Sequence, residues 1–196
     1  MVSTMSQFIE QGHLGGYVPG GDEATYFPDL WNWLHDECGV GSVLDVGCGD
    51  GVALKYFRNE LVCDVVGLEG IPQDDDDIIT HDFTSGPFFL NREFDLVWCC
   101  EFVEHVEEQF ISNFLDTFKY GKIVLLTHAD VGQDGYHHVN CQPKEYWIGA
   151  MAASGFKLDE YLTAITRGVA ARNKSPWNHY VRSGLAFRRV GDGNEI

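Results

Sequence analysis

The stretch Ser42-Val43-Leu44-Asp45-Val46-Gly47-Cys48-Gly49-Asp50-Gly51 carries an apolar run into three glycines, with one carboxylate before them and another between the last two. Glycine-rich turns after a strand expose backbone N–H groups at a helix N-terminus and commonly cradle phosphate. Two carboxylates beside such a cradle would repel it. The glycines also fall at every second position, which departs from the G-x-G-x-x-G dinucleotide fingerprint. The tighter spacing makes a sharper turn, and Asp45 and Asp50 make its surroundings electronegative, so the loop suits a cation.

Carboxylates recur where later strands are expected to end. Glu69 closes VVGLEG, where a carboxylate can accept both hydroxyls of a ribose. In His81-Asp82-Phe83, Asp82 can accept from an adenine amino group and Phe83 offers an apolar wall. Each acid alone reads equally well as a strand-end surface residue; the sites taken in order point to a nucleoside. S-Adenosylmethionine (SAM) has a sulfonium, an ammonium and no phosphate, and it fits these positions on charge as NAD does not.

Two further stretches carry groups able to move a proton or hold a metal. Cys99-Cys100-Glu101-Phe102-Val103-Glu104-His105 follows an apolar run. Here His105 is a candidate general base with Glu104 orienting its ring; alternatively the pair merely opens a helix, with acids favourably placed on its dipole. The long segment THADVGQDGYHHVNCQP gathers His128, Asp130, His137, His138 and Asn140, and loops of this length inside compact domains are often functional. His138 is the second candidate base. A histidine acting as base predicts a rate that rises through the neutral range. A divalent cation held by Asp130 with Glu101 or a histidine would also activate a hydroxyl, although the oxygen ligands are too few to name magnesium and the metal stays unassigned.

These residues need elements to position them. Residues 24–37 place Tyr26, Phe27, Leu30, Trp31 and Leu34 at helical spacing before Gly39 and Gly41 stop the pattern. Short apolar runs predict strands at 43–46, 62–68, 78–80, 94–99, 122–126, 157–162 and 183–189. Helical patterns fall at 51–59, 107–119 and 143–153. The alternation predicts an α/β fold with a mainly parallel sheet covered on both faces. Only EGIPQDDDD and DFTSGPFFLNRE connect the second strand to the third and the third to the fourth, so those crossover helices are shortened or replaced by loop. The acidic run 74–77 reads as a solvated turn, Trp147 as core, and Tyr146 and Trp177 as core or as a platform for a sugar ring.

The 196 residues suit a single domain over 1–196, with the glycine-rich 1–21 as a flexible lid or leader and 191–196 as a frayed tail. Thirty acids against 13 bases give a net charge of −17, which disfavours a nucleic-acid partner. The bases Arg167, Arg172, Lys174, Arg182, Arg188 and Arg189 are too dilute for a basic patch and read as solvation of strands and loops. Six cysteines lack C-x-x-C or zinc spacing and sit partly in apolar runs, as expected of free thiols in a reducing compartment. With no apolar run near the roughly 20 residues of a membrane span and no signal-peptide pattern, the protein is expected to be soluble and cytoplasmic.

From Gly41 to Leu126, LDVGCGDG, the strand-end Glu69, HDF and FDLVWCCEFVEHV resemble the class I SAM-dependent methyltransferases. The resemblance implies a Rossmann-like sheet of seven strands with the last antiparallel. It also implies that Gly47 and Gly49 hold the methionine part, Glu69 the ribose and Asp82 the adenine, and that residues 99–105 line the methyl and acceptor side. On this reading the cofactor site comprises Asp45, Gly47, Cys48, Gly49 and Gly51 from the loop, with Glu69, Gly70, Asp82, Phe83, Cys100 and Glu101 from later strand ends. HLGGYVPGGDEATYFPDLW, EFVEHVEEQFISNFLDTF and GYHHVNCQPKEYWI further resemble small sugar O-methyltransferases of glycan synthesis, some of them virus-encoded. The implied reaction is methylation of a sugar hydroxyl in a glycan or its precursor, with His105, His138, Glu104 and Asp130 as the catalytic candidates. Methylation of another small molecule, or SAM binding without turnover, are the alternatives.

Overall fold

The apolar runs form one sheet of seven strands: β1 (Ser42–Val46), β2 (Asp64–Glu69), β3 (Ile78–Thr80), β4 (Phe94–Cys99), β5 (Gly121–Leu126), β6 (Phe156–Leu158) and β7 (Leu185–Arg189). The computed structural model describes residues 12–17, 19–175 and 178–191. The expected tail at 192–196, part of the expected lid (1–11 and Val18) and Trp177 lie outside them. Strand order is β3-β2-β1-β4-β5-β7-β6; β7 runs antiparallel to β5 and β6, and the remaining pairs are parallel. This is the Rossmann-like class I methyltransferase fold that the motifs implied.

Side chains alternate across the sheet, as strand geometry requires. Val43, Leu96, Trp98, Ile123 and Leu125 face one side. There they meet helices α1 (Pro28–Cys38), α2 (Val52–Asn59), α5 (Glu160–Ala170) and α6 (His179–Ser183), through Trp31, Leu34, Phe57, Leu162 and Tyr180. Leu44, Val46, Val97, Val124 and Leu126 face the other side, against Phe114 and Phe118 of α3 (Ile111–Phe118) and Trp147 and Met151 of α4 (Lys144–Ala153). Trp147 is core, as expected. No helix among the described residues is long and apolar enough to cross a membrane.

The shortened crossovers are real: no helix joins β2 to β3, and a 3-10 turn at Phe83–Ser85 stands between β3 and β4. The acidic run does more than meet solvent, because Arg58 of α2 donates to Asp75 at 2.9 Å and to Asp77 at 2.6 Å. The C-terminal bases are tied as well, with Arg188 on Asp159 at 2.7 Å, Arg189 on Glu93 at 2.6 Å and Arg167 donating to the Gly184 carbonyl at 2.7 Å.

Several elements differ from expectation, among them the helix His179–Ser183, which was not expected. The strand expected to run to residue 162 ends at Leu158, and α5 begins at Glu160 with Asp159 as its N-cap, accepting from Leu162 N at 2.8 Å. Leu162, Ile165, Thr166 and Val169 then recur at helical spacing, three of them buried. The helix expected from residue 107 starts at Ile111, and 3-10 turns occupy Val103–His105 and Glu108–Phe110. Asp159→Ala is expected to destabilise the protein by about 1 kcal/mol through the lost cap while Asp159→Asn retains most of the stability. Urea midpoints check this, and equal loss in both variants would assign the effect to the Arg188 pair instead.

Candidate functional site

Strand order reverses between β1 and β4, and open α/β sheets place ligands outside the carboxyl ends of strands at such a reversal. A pocket lies there. Asp45, Gly47, Cys48, Gly49, Glu69, Gly70, Asp82, Phe83, Cys100, Glu101 and His105 line it, so every expected cofactor residue except Gly51 reaches it. Gly51 instead caps α2 in the left-handed conformation, at φ 71°.

The glycine loop is fixed by its backbone. Gly47 N and Cys48 N donate to the Leu68 carbonyl at 2.9 and 3.1 Å. Gly47 has φ 75°, and a Cβ there would fall 2.3 Å from the Phe102 ring. Glu69 is a strut as well as a lining group, accepting from Gly49 N at 2.9 Å and Ile71 N at 3.1 Å. Burial raises its pKa, and these N–H donors oppose the rise.

The charge around the loop is not the one the sequence suggested. Asp45 is 3% exposed, and burial, reinforced by Glu69, pushes its carboxyl up to about 8. It is therefore mostly protonated at neutral pH. Asp50 is charge-compensated differently, accepting from Tyr17 Oη and Gly20 N. Those donors belong to the described part of the leader, residues 12–17 and 19–21, which forms one wall of the pocket. The same strap is tied at Asp82, which accepts from His13 Nε2 at 2.8 Å and caps the Phe83–Ser85 turn through Thr84 N. Burial works against the Asp82 charge, but His13 and Thr84 hold its pKa below the usual range. Phe83 is buried edge-on to Phe102 and Phe114, giving the apolar wall.

Beyond β4 the chain turns sharply at Glu101, at φ 53°. Its N–H donates to Thr127 Oγ1 at 2.7 Å, Thr127 Oγ1 donates to its Oε1 at 2.8 Å, and His179 Nδ1 of α6 lies 3.0 Å from its Oε2. Burial disfavours the Glu101 charge, yet His179 and Thr127 keep its pKa low, and Glu101 in turn raises that of His179. His179 was not read as a site residue from the sequence, and Tyr17 and His13 were read only as part of the 1–21 lid or leader. The α6 helix that carries His179 went unrecognised there, and the partners of all three lie more than 30 positions away in the chain.

His105 reaches the pocket from the Val103–His105 turn, with Nδ1 3.2 Å from the His137 carbonyl and its ring edge-on to His138 at 5.1 Å. Burial, followed by the neighbouring His138, lowers its pKa to about 4. The neutral imidazole persists across the neutral range, so the rate limb expected there does not belong to His105. Glu104 does not orient the ring, since the carbonyl of His137 does. Glu104 is 0% exposed, neither of its carboxylate oxygens has a hydrogen-bond partner among the described residues, and burial pushes its pKa well up. Its backbone carbonyl accepts from Val139 N and Asn140 N at 3.0 Å, pinning the histidine loop to the turn. His138 stands behind His105, outside the pocket lining. Asp130 is misplaced for the expected role: it is 70% exposed, outside the pocket, and its nearest ionic partner is His128 at 3.7 Å rather than Glu101. Tyr146 donates to Glu108 at 2.9 Å and also stays out of the pocket.

Residues 36–161 match the family model described as a methyltransferase domain. No curated protein matches the chain significantly in sequence. Among solved structures, the sugar N-methyltransferase KedS8 from Streptoalloteichus sp ATCC 53650 superposes at TM-score 0.61 with 15% identity, covering 95% of this chain and 93% of that one. The Burkholderia thailandensis 1,6-didemethyltoxoflavin-N1-methyltransferase, with bound 1,6-didemethyltoxoflavin and S-adenosylhomocysteine, gives 0.60 with 13% identity over 94% and 86%. StiE O-MT gives 0.52 with 12% identity over 85% and 75%.

The buried Asp45 has a measurable signature. Its folded pKa of about 8 lies above the unfolded value of about 3.9, so its favourable contribution is full below the lower value and is lost as pH rises through the folded one. Asp45→Asn carries no such penalty. The unfolding free energy of the wild type is expected to fall relative to the variant between pH 4 and pH 8 and to level off above. A constant difference in urea melts across that range would place the charge on Asp45 at neutral pH.

Proposed function

We propose that this chain, which belongs to the methyltransferase-domain family, transfers the methyl group of SAM to a hydroxyl of a sugar in a glycan or glycan precursor. The chain is a SAM-dependent methyltransferase on a Rossmann-like sheet. Our reading adds the acceptor and the roles of the residues. The observation that carries it is one pocket that gathers the glycine loop, Glu69 and Asp82 together with Glu101 and His105.

The residues present fit the cofactor. Phe102 blocks any side chain at Gly47, whereas nothing lies within 4 Å of a Cβ added at Gly49, so bare backbone faces the pocket there. Beyond its two N–H bonds, Glu69 keeps lone pairs for ribose hydroxyls. Asp82 and Phe83 meet adenine as an acceptor and an apolar wall. When bound, SAM supplies an electrophilic methyl group on a sulfonium. Asp45 is neutral on its own and ionises more readily beside a cation, so the charge of the loop adjusts to the donor. Cys48 and Cys100 serve as small apolar wall, because burial pushes both thiols well up.

At the acceptor end Glu101, clamped by His179 and Thr127, and His105 position the hydroxyl for in-line displacement, where alignment is the main requirement. Hydroxyl activation belongs to the His105 side. The strap of residues 12–17 and 19–21 acts as a lid. KedS8 is named as acting on a sugar and StiE as an O-MT on the same fold, which supports an acceptor of this class. The net charge of −17 supports a neutral acceptor over nucleic acid, and six free thiols support a cytoplasmic setting.

Incubation with methyl-labelled SAM and a panel of sugars, glycans, small phenols and RNA, read by mass spectrometry, is expected to give a methylated sugar ether. A product only on a phenol or RNA would replace the acceptor class, and SAM binding with no acceptor consumed would make the chain a SAM-binding regulator. In calorimetry, Glu69→Ala is expected to weaken SAM binding by about 1 to 3 kcal/mol, the cost of leaving hydrogen-bonding groups unpaired. An unchanged affinity removes the ribose role.

A further inference from the structure

Burying a carboxylate without hydrogen bonds is expensive, and such groups ask for a partner. Glu104 is 0% exposed, and neither of its oxygens has one among the described residues. One ligand atom each from Glu104, His105 and His138 lies within 4.8 Å of the others. The two rings are held alike: His105 Nδ1 is 3.2 Å from the His137 carbonyl, and His138 Nδ1 is 3.3 Å from the Gln133 carbonyl. A carbonyl can only accept, so each Nδ1 is the donor, and in a neutral ring that leaves Nε2 as the acceptor. The Glu104 carboxyl group and the two imidazoles thus lie together with no hydrogen bond from either ring to the carboxyl oxygens. His137 Nε2 and Asn140 Nδ2, on the loop that supplies His138, are also buried with no partner among the described residues.

We infer that Glu104, His105 and His138 form a binding site for one first-row divalent cation of the zinc and cobalt class. A proton on Glu104 would satisfy one of the two imidazole lone pairs at most, whereas a cation satisfies all three groups. Two imidazoles and one carboxylate suit zinc, cobalt or manganese rather than magnesium or calcium, which prefer all-oxygen shells. Bonds of about 2.0 to 2.1 Å at tetrahedral angles need ligand atoms about 3.4 Å apart, so closure takes side-chain rotation of roughly an ångström. Metal-bound histidines almost always donate their other ring N–H to a carbonyl or carboxylate, as both do here. The strap closes one side, since a Cβ at Gly16 would fall 2.6 Å from the His105 ring.

Three protein ligands leave a coordination position open, and His105 is the ligand that lines the pocket. What the cation does there rests on the hydroxyl-methylation reading above. A sugar hydroxyl coordinated at that position gives its proton to solvent water more readily. Its oxygen lone pair forms the new C–O bond, while the methyl C–S bond breaks with its electron pair left on sulfur. The products are a methyl ether, S-adenosylhomocysteine and one proton.

The test uses the full chain stripped with a chelator and titrated with Co2+, followed by visible absorption and by calorimetry with Zn2+. One Co2+ per chain with the d–d bands of a mixed nitrogen and oxygen site is expected, displaced by Zn2+ and untouched by Mg2+. His138→Ala and Glu104→Gln are expected to weaken Co2+ binding at least 100-fold while SAM affinity and melting temperature hold; Glu104→Gln keeps the buried shape in case the alanine variant fails to fold. Asp130→Ala should bind Co2+ as the wild type does. Absence of stoichiometric Co2+ binding, or binding unaffected by Glu104→Gln, overturns the site. Co2+ bound at that site with no sugar methylated across the acceptor panel sustains the site and refutes the acceptor reading, whereas sugar methylation by stripped protein that binds no Co2+ does the reverse.

Discussion

Glu69 spans two loops at once, accepting from Gly49 N at 2.9 Å and from Ile71 N at 3.1 Å. Together with the two N–H bonds from Gly47 and Cys48 to the Leu68 carbonyl, this clasp locks the glycine loop to the end of β2. A loop with positive φ at Gly47, Gly49 and Gly51 has little intrinsic preference for one shape, so the shape has to be imposed from outside. Glu69 imposes it. The pocket floor, the direction in which α2 leaves the loop and the path along which the strap reaches Asp50 are all set relative to that clasp.

Four carboxylates, Asp45, Glu69, Glu101 and Glu104, are buried or half-buried in the fold, which meets the cost of each in a different way. Glu69 takes backbone N–H groups, and Glu101 takes His179 and Thr127 and stays ionised. Asp45 and Glu104 have no such donors among the described residues, and burial raises the pKa of both. Of these four, Glu69 and Glu101 therefore hold the donors that favour a charge. A cationic donor can draw out further charge from Asp45, which a permanently ionised cluster could not offer without repelling itself.

The sheet, the order of its elements and most of the pocket lining were legible, because they follow from strand runs, glycine spacing and acids at strand ends. What was not legible depends on tertiary burial or on partners distant in sequence. Asp45 was read as a charge because nothing local reveals that β1 lies at the centre of the sheet with this side chain enclosed. Asp130 was read as a ligand because it sits among histidines in sequence, yet the loop turns it to solvent and brings His138 back against His105. The α5 helix was recoverable in principle: Asp159 before Glu160-Tyr161-Leu162 is a cap signal, overridden by treating Lys157–Leu162 as one apolar run. His179 carried no usable signal, since its significance lies in reaching Glu101, far away in the chain.

The strap joins the two ends of the pocket mechanically. Tyr17 and Gly20 hold it at Asp50 and His13 holds it at Asp82, on the side read as the cofactor end, while Gly15 and Gly16 pass against His137 and His105 at the other. These anchors are a few hydrogen bonds at partly exposed groups, each worth about 0.5 to 1.5 kcal/mol net and up to about 3 where the acceptor is charged. Under the proposed reading, lifting the strap exposes the adenosine side and the histidine side together, because Gly15 and Gly16 have no side chains with which to stay behind. On that proposal, the glycines that let the strap lie flat against both rings are also what would make donor and acceptor access a single event.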